Sequence, residues 1–232
     1  MNKIIILSAG PGLPEIVERY GHSSDWIPNA LSSYELDYDI RKVYEDSFDH
    51  SLDGDAWIIT GSKYSVYDDL PWINNLKIYL KEIIALKKPI LGICFGHQIL
   101  ADVLGGQVIK NPLGWELGSY NIELTHEGNS SNLFKNIDNE DVFYESHQDF
   151  VKKIPKGSTE LAKTDKSNQS FVYDENIYGV QFHPEFTWEV TRALMDARIK
   201  KGIKVDDINL NESIKGNKIL HNFIDIIESE RK

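Results

Sequence analysis

The sequence predicts a three-layer α/β fold, in which helices cover both faces of a central, mostly parallel sheet. In the first half of the chain, short apolar runs alternate with longer segments of helical periodicity. Strands that are apolar on both faces lie between two helical layers, as they do in a parallel sheet. In the second half, short strands joined by turns prevail, so we also expect a smaller antiparallel β section.

The elements of the first half are predicted from this pattern and from the proline and glycine residues at their ends. Pro71 suits the first turn of a helix, and Gly105 and Gly106 suit the end of one. The predicted strands are residues 4–7, 38–44, 56–60 and 89–93. The predicted helices are residues 26–33, 72–86 and 97–104.

The second half is predicted as strands at 120–125, 142–146, 159–163, 170–173 and 177–182. The three residues Asp174, Glu175 and Asn176 are a plausible hairpin connection between the last two. Helices are predicted at 189–200 and 214–228, with a polar segment between them. Because no linker stands out, we predict one domain over residues 1–232, with a C-terminal helical extension from about residue 200.

The charge balance argues against two classes of partner. With 25 basic and 36 acidic residues, the net charge is −11, which disfavours binding to nucleic acid and to anionic membranes. The single cysteine cannot form an internal disulfide, which fits a reducing compartment, and we expect the cytoplasm. The apolar run near the start is too short for a signal peptide, and no stretch is long enough to cross a membrane.

That single cysteine, Cys94, lies in the stretch LGICFGHQIL at residues 91–100, between a predicted strand and a predicted helix. Gly92 and Gly96 would permit a sharp strand-to-helix turn that exposes the thiol at the end of the sheet. The helix N-terminus would direct N–H groups at it, favouring the thiolate and offering an oxyanion site. Cysteine is also often a small buried apolar residue, and the spacing alone leaves both interpretations open.

A second motif could supply the base that a cysteine nucleophile needs. His183 ends the apolar run YGVQFHPEF, and Glu185 stands two residues later. In an extended chain such residues share a face, and Pro184 between them favours that conformation. The pair could be an ordinary surface pair at a strand end. Together with a glycine-flanked cysteine, it favours a Cys-His-Glu triad.

At these residues the sequence resembles the class I, or triad, glutamine amidotransferases. GICFGHQ at 92–98 resembles their nucleophile motif, and GVQFHPE at 179–185 resembles their His and Glu motif. Three further stretches are similar to stand-alone members that resemble the amidotransferase half of GMP synthase: TGSKYSVYDDLPWI at 60–73, GGQV at 105–108 and SHQD at 146–149. The resemblance implies the flavodoxin-like fold of that family.

The resemblance also implies roles for individual residues. Cys94 would attack the glutamine carboxamide and form a γ-glutamyl thioester, while His183 moves the protons and Glu185 orients it. The backbone N–H of Phe95 would be one oxyanion donor. The other would come from Ser62, which stands, after Gly61, where the family has a glycine. The remaining substrate contacts implied are Gly61, Gln98 and the loop of Ser146, His147 and Gln148.

Three functions remain open from the sequence. The first is a glutamine hydrolase that delivers ammonia to an unknown acceptor. In that case we expect a separate synthetase subunit as partner, because nothing like an ATP-binding domain follows residue 185. The second is a γ-glutamyl peptide hydrolase, which an open pocket around Tyr64, Tyr67 and Trp115 would favour. Core packing is the alternative for these aromatic residues, and it suits Trp115 better than Tyr64. The third is a non-catalytic partner or sensor. No cofactor and no metal are expected.

Overall fold

The computed structural model describes residues 1–45, 48–204, 209–213 and 215–229. Within them the strands are β1 (Asn2–Ser8), β2 (Leu36–Lys42), β3 (Ala56–Ile59), β4 (Ile90–Ile93), β5 (Gln107–Lys110), β6 (Glu116–Asn121), β7 (Glu123–Leu124), β8 (Val142–His147), β9 (Asp149–Lys153), β10 (Thr159–Lys163), β11 (Asn168–Tyr173) and β12 (Ile177–Val180). The helices are α1 (Pro14–Tyr20), α2 (Ser23–Ala30), α3 (Pro71–Ala85), α4 (Phe95–Val103), α5 (His126–Ser130), α6 (Trp188–Lys200) and α7 (Lys218–Ser229). A short 3₁₀ helix (Asn132–Phe134) follows α5.

An eight-stranded mixed sheet forms the centre of the molecule, in the order β2-β1-β3-β4-β12-β11-β10-β7. The first five strands in this order run parallel, and the last three pair antiparallel. Two smaller antiparallel pairs, β5 with β9 and β6 with β8, stand apart from it. The predicted α/β class, with its mostly parallel sheet and smaller antiparallel section, is confirmed.

Helices cover both faces of this sheet, and the alternation along β1 shows the division. Ile4 and Ile6 point into a core that includes residues of α2 and α7, whereas Ile5 and Leu7 point into a second core with residues of α3 and α4. All four side chains are fully buried. This two-sided burial explains why the first strand is a continuous apolar run.

The predicted hairpin between β11 and β12 is present. The two strands pair antiparallel up to Tyr173 and Ile177. Asp174 and Glu175 take left-handed backbone conformations, with φ of 49° and 66°, which reverse the chain between the strands.

The sequence patterns missed several short elements: α1, α5, β5, β9 and the 3₁₀ helix. Leu13, Ile16, Val17 and Tyr20 do follow helical spacing, but α1 is only seven residues long and buries only Ile16, so its apolar pattern is too short to stand out. The helix predicted at 26–33 begins earlier, because the ring of His22 caps Ser23–Ala30 and accepts from the Ser24 N–H. The strand predicted at 120–125 is two strands, Glu116–Asn121 and Glu123–Leu124.

The C-terminal extension is described only in part. Its last helix begins at Lys218, later than predicted, while residues 205–208 and 214 lie outside the described residues. The single-domain assignment stays a prediction. Across the described part of the chain, every helix is too short or too polar to cross a membrane.

Candidate active site

Cys94 occupies a sharp turn between β4 and α4. Its backbone has φ 53° and ψ −101°, a left-handed conformation that an L-residue other than glycine seldom adopts. Its N–H donates to the Val180 carbonyl at the end of β12, with N···O 2.9 Å. The strained turn directs the side chain out of the sheet edge at the start of the helix. Strain of this kind is held in place by the surrounding structure and clusters at functional sites.

The two glycines that flank Cys94 are required by close backbone packing. A Cβ on Gly92 would lie 2.4 Å from the Gly96 carbonyl, and a Cβ on Gly96 would lie 2.4 Å from the Ile59 carbonyl. Helix α4 therefore rests directly on the backbones of β3 and β4. This contact explains the Gly-x-Cys-x-Gly spacing physically.

His183 and Glu185 form a buried pair beside the thiol. His183 Nδ1 lies 2.8 Å from Glu185 Oε1. The ring is close to Cys94, because a Cβ placed on Gly61 would lie 2.8 Å from His183 Cε1 and 3.6 Å from Cys94 Cβ. Because Glu185 engages Nδ1, Nε2 is the ring nitrogen left to serve the sulfur. The ring of Phe186 stacks on the imidazole with the centroids 3.8 Å apart. The carboxylate and the stacked ring together fix the orientation of the imidazole.

The electrostatic setting of His183 favours the imidazolium. Burial by itself would lower the pKa of His183, but the negative charges of Glu185 and then of Cys94 outweigh burial and raise the pKa to about 10. A raised pKa lets the ring hold the proton that it receives from the thiol.

The backbone at Gly61 and Ser62 approaches the same point from the end of β3. A Cβ on Gly61 would lie 2.8 Å from His183 Cε1 and 3.6 Å from Cys94 Cβ. Among the described residues, no acceptor engages the N–H of Ser62 or that of Phe95. The hydroxyl of Ser62 points elsewhere, since its Oγ accepts from the Tyr64 N–H at 3.3 Å. Both N–H groups therefore remain available as oxyanion donors.

A mainly polar cavity of about 240 Å³ opens on one side of Cys94. Four residues that the family resemblance implies as substrate contacts line it: Gln98, Ser146, His147 and Gln148. The Gln98 amide nitrogen is already engaged, because it donates to the Asp149 carbonyl at 2.8 Å and to Gln181 Oε1 at 3.0 Å. Gln98 thus braces the wall of the cavity, and its predicted substrate contact stays a prediction.

The side chain of His147 turns into the protein interior. Its Nδ1 lies 2.9 Å from the Asp149 carbonyl, and its Nε2 lies 3.1 Å from Glu145 and 3.4 Å from Glu116. Burial lowers the pKa of His147, but the two carboxylates raise it to about 9. Burial raises the pKa of Glu145 to about 7, against the opposing effect of His147. The described residues contain no cluster of three or more His, Cys, Asp or Glu side chains arranged to hold a metal ion.

Four charged residues to which the sequence patterns assigned no role also line the cavity: Lys63, Lys110, Asp149 and Arg198. The carboxylate of Asp149 accepts from the hydroxyls of Ser65 and Tyr67. Arg198 comes from the far end of α6, more than a hundred residues after Cys94, so no local pattern could have indicated it. Core packing, the alternative considered for Trp115, does not apply, because its ring lines the cavity beneath the Arg198 guanidinium.

A second, mainly apolar cavity of about 90 Å³ lies on the His183 side. Leu13, Ile16, Trp26, Phe186 and Leu194 provide its apolar wall. Ser62, Lys63, Ser146 and Arg198 line both cavities, so the two meet at the reactive centre. A substrate could therefore extend from one cavity past Cys94 into the other.

Comparison with known proteins gives evidence on the family of this chain. The family model of class-I glutamine amidotransferases matches residues 15–199. A glutamine amidotransferase-like protein of Schizosaccharomyces pombe is 33% identical over 219 residues, which span 87% of this chain and 86% of that protein. Gamma-glutamyl peptidase 5 of Arabidopsis thaliana is 32% identical over 165 residues, or 68% of this chain and 66% of the peptidase.

One solved structure extends the likeness over the whole chain. It is a Thermoplasma acidophilum protein described as part of a GMP synthase, which superimposes with a TM-score of 0.72 and 25% identity. The superposition covers 100% of this chain and 96% of that one. The three-layer arrangement of helices and sheet is therefore shared with that protein.

Proposed function

This chain belongs to the class I glutamine amidotransferase family, and we propose that it hydrolyses the side-chain amide of glutamine with Cys94 as the nucleophile. The observation that carries the proposal is that three buried residues meet beside Gly61: an added Gly61 Cβ would lie within 4 Å of both Cys94 and His183, and His183 Nδ1 lies 2.8 Å from Glu185. Nucleophile, base and orienting carboxylate are the three parts of a triad mechanism.

In the first half of the reaction, the Cys94 sulfur forms a bond to the γ-carbonyl carbon and the thiol proton passes to His183. The negative charge that develops on the carbonyl oxygen is stabilised by the N–H groups of Ser62 and Phe95. Collapse of this intermediate breaks the C–N bond. His183 returns its proton to the nitrogen, and ammonia leaves a γ-glutamyl thioester on Cys94.

In the second half, a water molecule takes the place of ammonia. His183 accepts a proton from this water as it attacks the thioester carbonyl. The C–S bond then breaks, glutamate leaves, and the proton on His183 returns to the Cys94 sulfur. Glu185 stays ionised throughout and stabilises the imidazolium that forms in each half.

Ammonia released in this way becomes useful when an acceptor is close. We propose that a separate synthetase subunit holds that acceptor, and the likeness to the Thermoplasma acidophilum protein described as part of a GMP synthase supports this context. A reducing compartment such as the cytoplasm suits a mechanism that depends on an unmodified thiol.

Glutamate release from glutamine by the purified protein tests the proposal. Wild-type protein should turn over glutamine, and Cys94→Ala should lower kcat by roughly four orders of magnitude or more, since the nucleophile is lost. Unchanged activity in Cys94→Ala would overturn the assignment of the nucleophile. If neither glutamine nor a γ-glutamyl dipeptide is hydrolysed, with or without cell extract, a non-catalytic partner or sensor becomes the better assignment.

A γ-glutamyl peptide hydrolase is the second candidate, and the apolar cavity beside His183 favours it. Ammonia does not need this space, whereas an apolar amine leaving group would fill it. The acyl chemistry is identical, because both substrates give the same γ-glutamyl thioester. The 32% identity to gamma-glutamyl peptidase 5 also supports this candidate.

Truncation of a wall residue separates the two substrate classes. Trp26→Ala should raise KM for γ-glutamyl-leucine about tenfold, since it removes apolar contact area from the leaving-group side. The same change should leave the kinetics of glutamine within about twofold, because ammonia does not reach Trp26. Equal effects on both substrates would exclude this cavity as a leaving-group site.

A further inference from the structure

The guanidinium of Arg198 lines the candidate active site, and among the described residues it has no acidic partner. Among the described residues, no carboxylate lies within ion-pair distance of its guanidinium, although Asp149 lines the same cavity. Asp149 is instead engaged by Ser65 and Tyr67. A partly buried arginine with no anionic partner is costly unless a ligand supplies the anion.

The guanidinium is held in a fixed position at the junction of the two cavities. Its Nε donates to Ser146 Oγ at 2.9 Å, and its central carbon lies 4.6 Å from the centre of the Trp115 ring. These contacts use Nε and one face of the guanidinium, and no hydrogen bond to the described residues engages its two terminal nitrogens. Two parallel N–H donors on a planar, stacked group match the geometry of a carboxylate.

The charges around Arg198 point to an anionic ligand as well. Burial lowers the pKa of Arg198, while the sulfur of Cys94 is close enough to oppose that effect electrostatically. The neighbouring Lys63 also has no carboxylate partner among the described residues, and its Nζ lies 5.3 Å from the centre of the Tyr64 ring. The junction of the cavities is therefore positively charged next to the thiol.

Resting on the proposed function, we infer that Arg198 is a specificity-determining residue that binds a carboxylate of the γ-glutamyl substrate through its two terminal nitrogens. Two carboxylates of such a substrate are candidates for this contact with Arg198. One is the α-carboxylate of the glutamyl group, on the side where Ser146 and Trp115 hold the guanidinium. The other is the carboxylate at the end of a peptide leaving group, because Arg198 also lines the apolar cavity.

Steady-state kinetics of Arg198→Gln on four substrates tests the inference and distinguishes the two sources. The substrates are glutamine, its α-amide glutaminamide, γ-glutamyl-leucine and γ-glutamyl-leucine amide. If the α-carboxylate is bound, the variant should raise KM about 10- to 100-fold for all substrates except glutaminamide. If the leaving-group carboxylate is bound, KM should rise only for γ-glutamyl-leucine. Arg198→Lys should recover part of the loss in either case, because it keeps the positive charge but lacks the two parallel N–H donors of the guanidinium.

Arg192→Gln is the matched control. Arg192 lies on the same helix, is exposed, and pairs with Asp196 at 3.4 Å, so its loss should leave every KM within about twofold. The inference is overturned if Arg198→Gln changes KM equally for substrates with and without the carboxylate, or lowers kcat alone. Calorimetric binding of all four compounds to Cys94→Ala, with and without Arg198→Gln, needs no turnover. If wild-type protein hydrolyses nothing, the proposed function fails, while this binding difference still decides the role of Arg198.

Discussion

Nδ1 of His183 lies 2.8 Å from Oε1 of Glu185, across the single intervening residue Pro184. Both side chains are almost completely buried. A carboxylate in this position fixes the ring tautomer that presents Nε2 to the thiol, and it stabilises the charged ring.

Replacing that carboxylate by an amide should impair catalysis while sparing the fold. We expect Glu185→Gln to lower kcat for glutamine by roughly 10² to 10⁴, since the amide neither selects the tautomer nor stabilises the imidazolium. Stopped-assay glutamate release measures kcat. The exposed Glu82→Gln on α3 is the control and should match wild type. Retention of more than a tenth of wild-type kcat would show that Glu185 does not orient the base.

The backbone at Gly61 should tolerate no side chain. A Cβ there would lie 2.8 Å from His183 Cε1, so Gly61→Ala should displace the imidazole and lower kcat by about 100-fold or more. Ser62→Ala is the companion variant, because it keeps the backbone N–H and removes only the hydroxyl that accepts from Tyr64. Its kcat should stay within a few-fold of wild type. A large loss in Ser62→Ala would indicate that the hydroxyl, and not the N–H, serves the reaction.

The glycine beneath the start of α4 should matter for stability. We expect Gly96→Ala to lower the free energy of unfolding by about 3 kcal/mol or more, because its Cβ would lie 2.4 Å from the Ile59 carbonyl. Gly105→Ala, where nothing lies within 4 Å of the added Cβ, should cost only about 1 kcal/mol of backbone strain. Urea unfolding of both variants gives the comparison. Equal losses would argue against a close helix-to-strand contact.

The buried cluster of His147, Glu145 and Glu116 should make stability depend on pH. The pKa of His147 is raised to about 9 in the folded state, from an unfolded value of roughly 6.5. The charged ring therefore contributes stability that is fully present below pH 6.5 and is lost as the pH rises through about 9. His147→Gln should cost about 1–3 kcal/mol at pH 6 and much less at pH 9.5. Urea unfolding at both pH values, with wild type alongside, measures the difference, and a pH-independent cost would rule out this linkage.

The sequence predicted the parts of the fold that carry strong local patterns. The strands β1, β3 and β4 are continuous apolar runs, and α3 combines apolar periodicity with Pro71 at its start. The elements it missed, such as β5 and β9, are short and pair with each other across about forty residues. Their existence depends on that distant pairing, which no local window contains.

The same distinction between local patterns and distant contacts applies to the residues of the candidate site. Cys94, His183 and Glu185 lie in two compact motifs, so their types and spacing could be recognised along the chain. Arg198 and Asp149 could not, because they acquire a role only when α6 and β9 fold against the cavity. The inward orientation of His147 also depends on Glu116, which lies thirty-one residues earlier and is brought close by the pairing of β6 with β8.

The reactive residues lie just beyond the carboxyl ends of three neighbouring strands of the central sheet. Gly61 follows β3, Cys94 follows β4, and His183 follows β12, which pairs with β4 in the register Gly92 to Gly179. Their separations are consequently tied to the fixed repeat of about 4.8 Å between strands. Most of the cavity walls come from α1, α2, α6, the loop around Tyr64 and the strands β8 and β9, none of which belongs to the central sheet. Substrate choice can therefore diverge among descendants of this fold by exchange of peripheral segments, while the spacing of the reacting atoms is inherited unchanged.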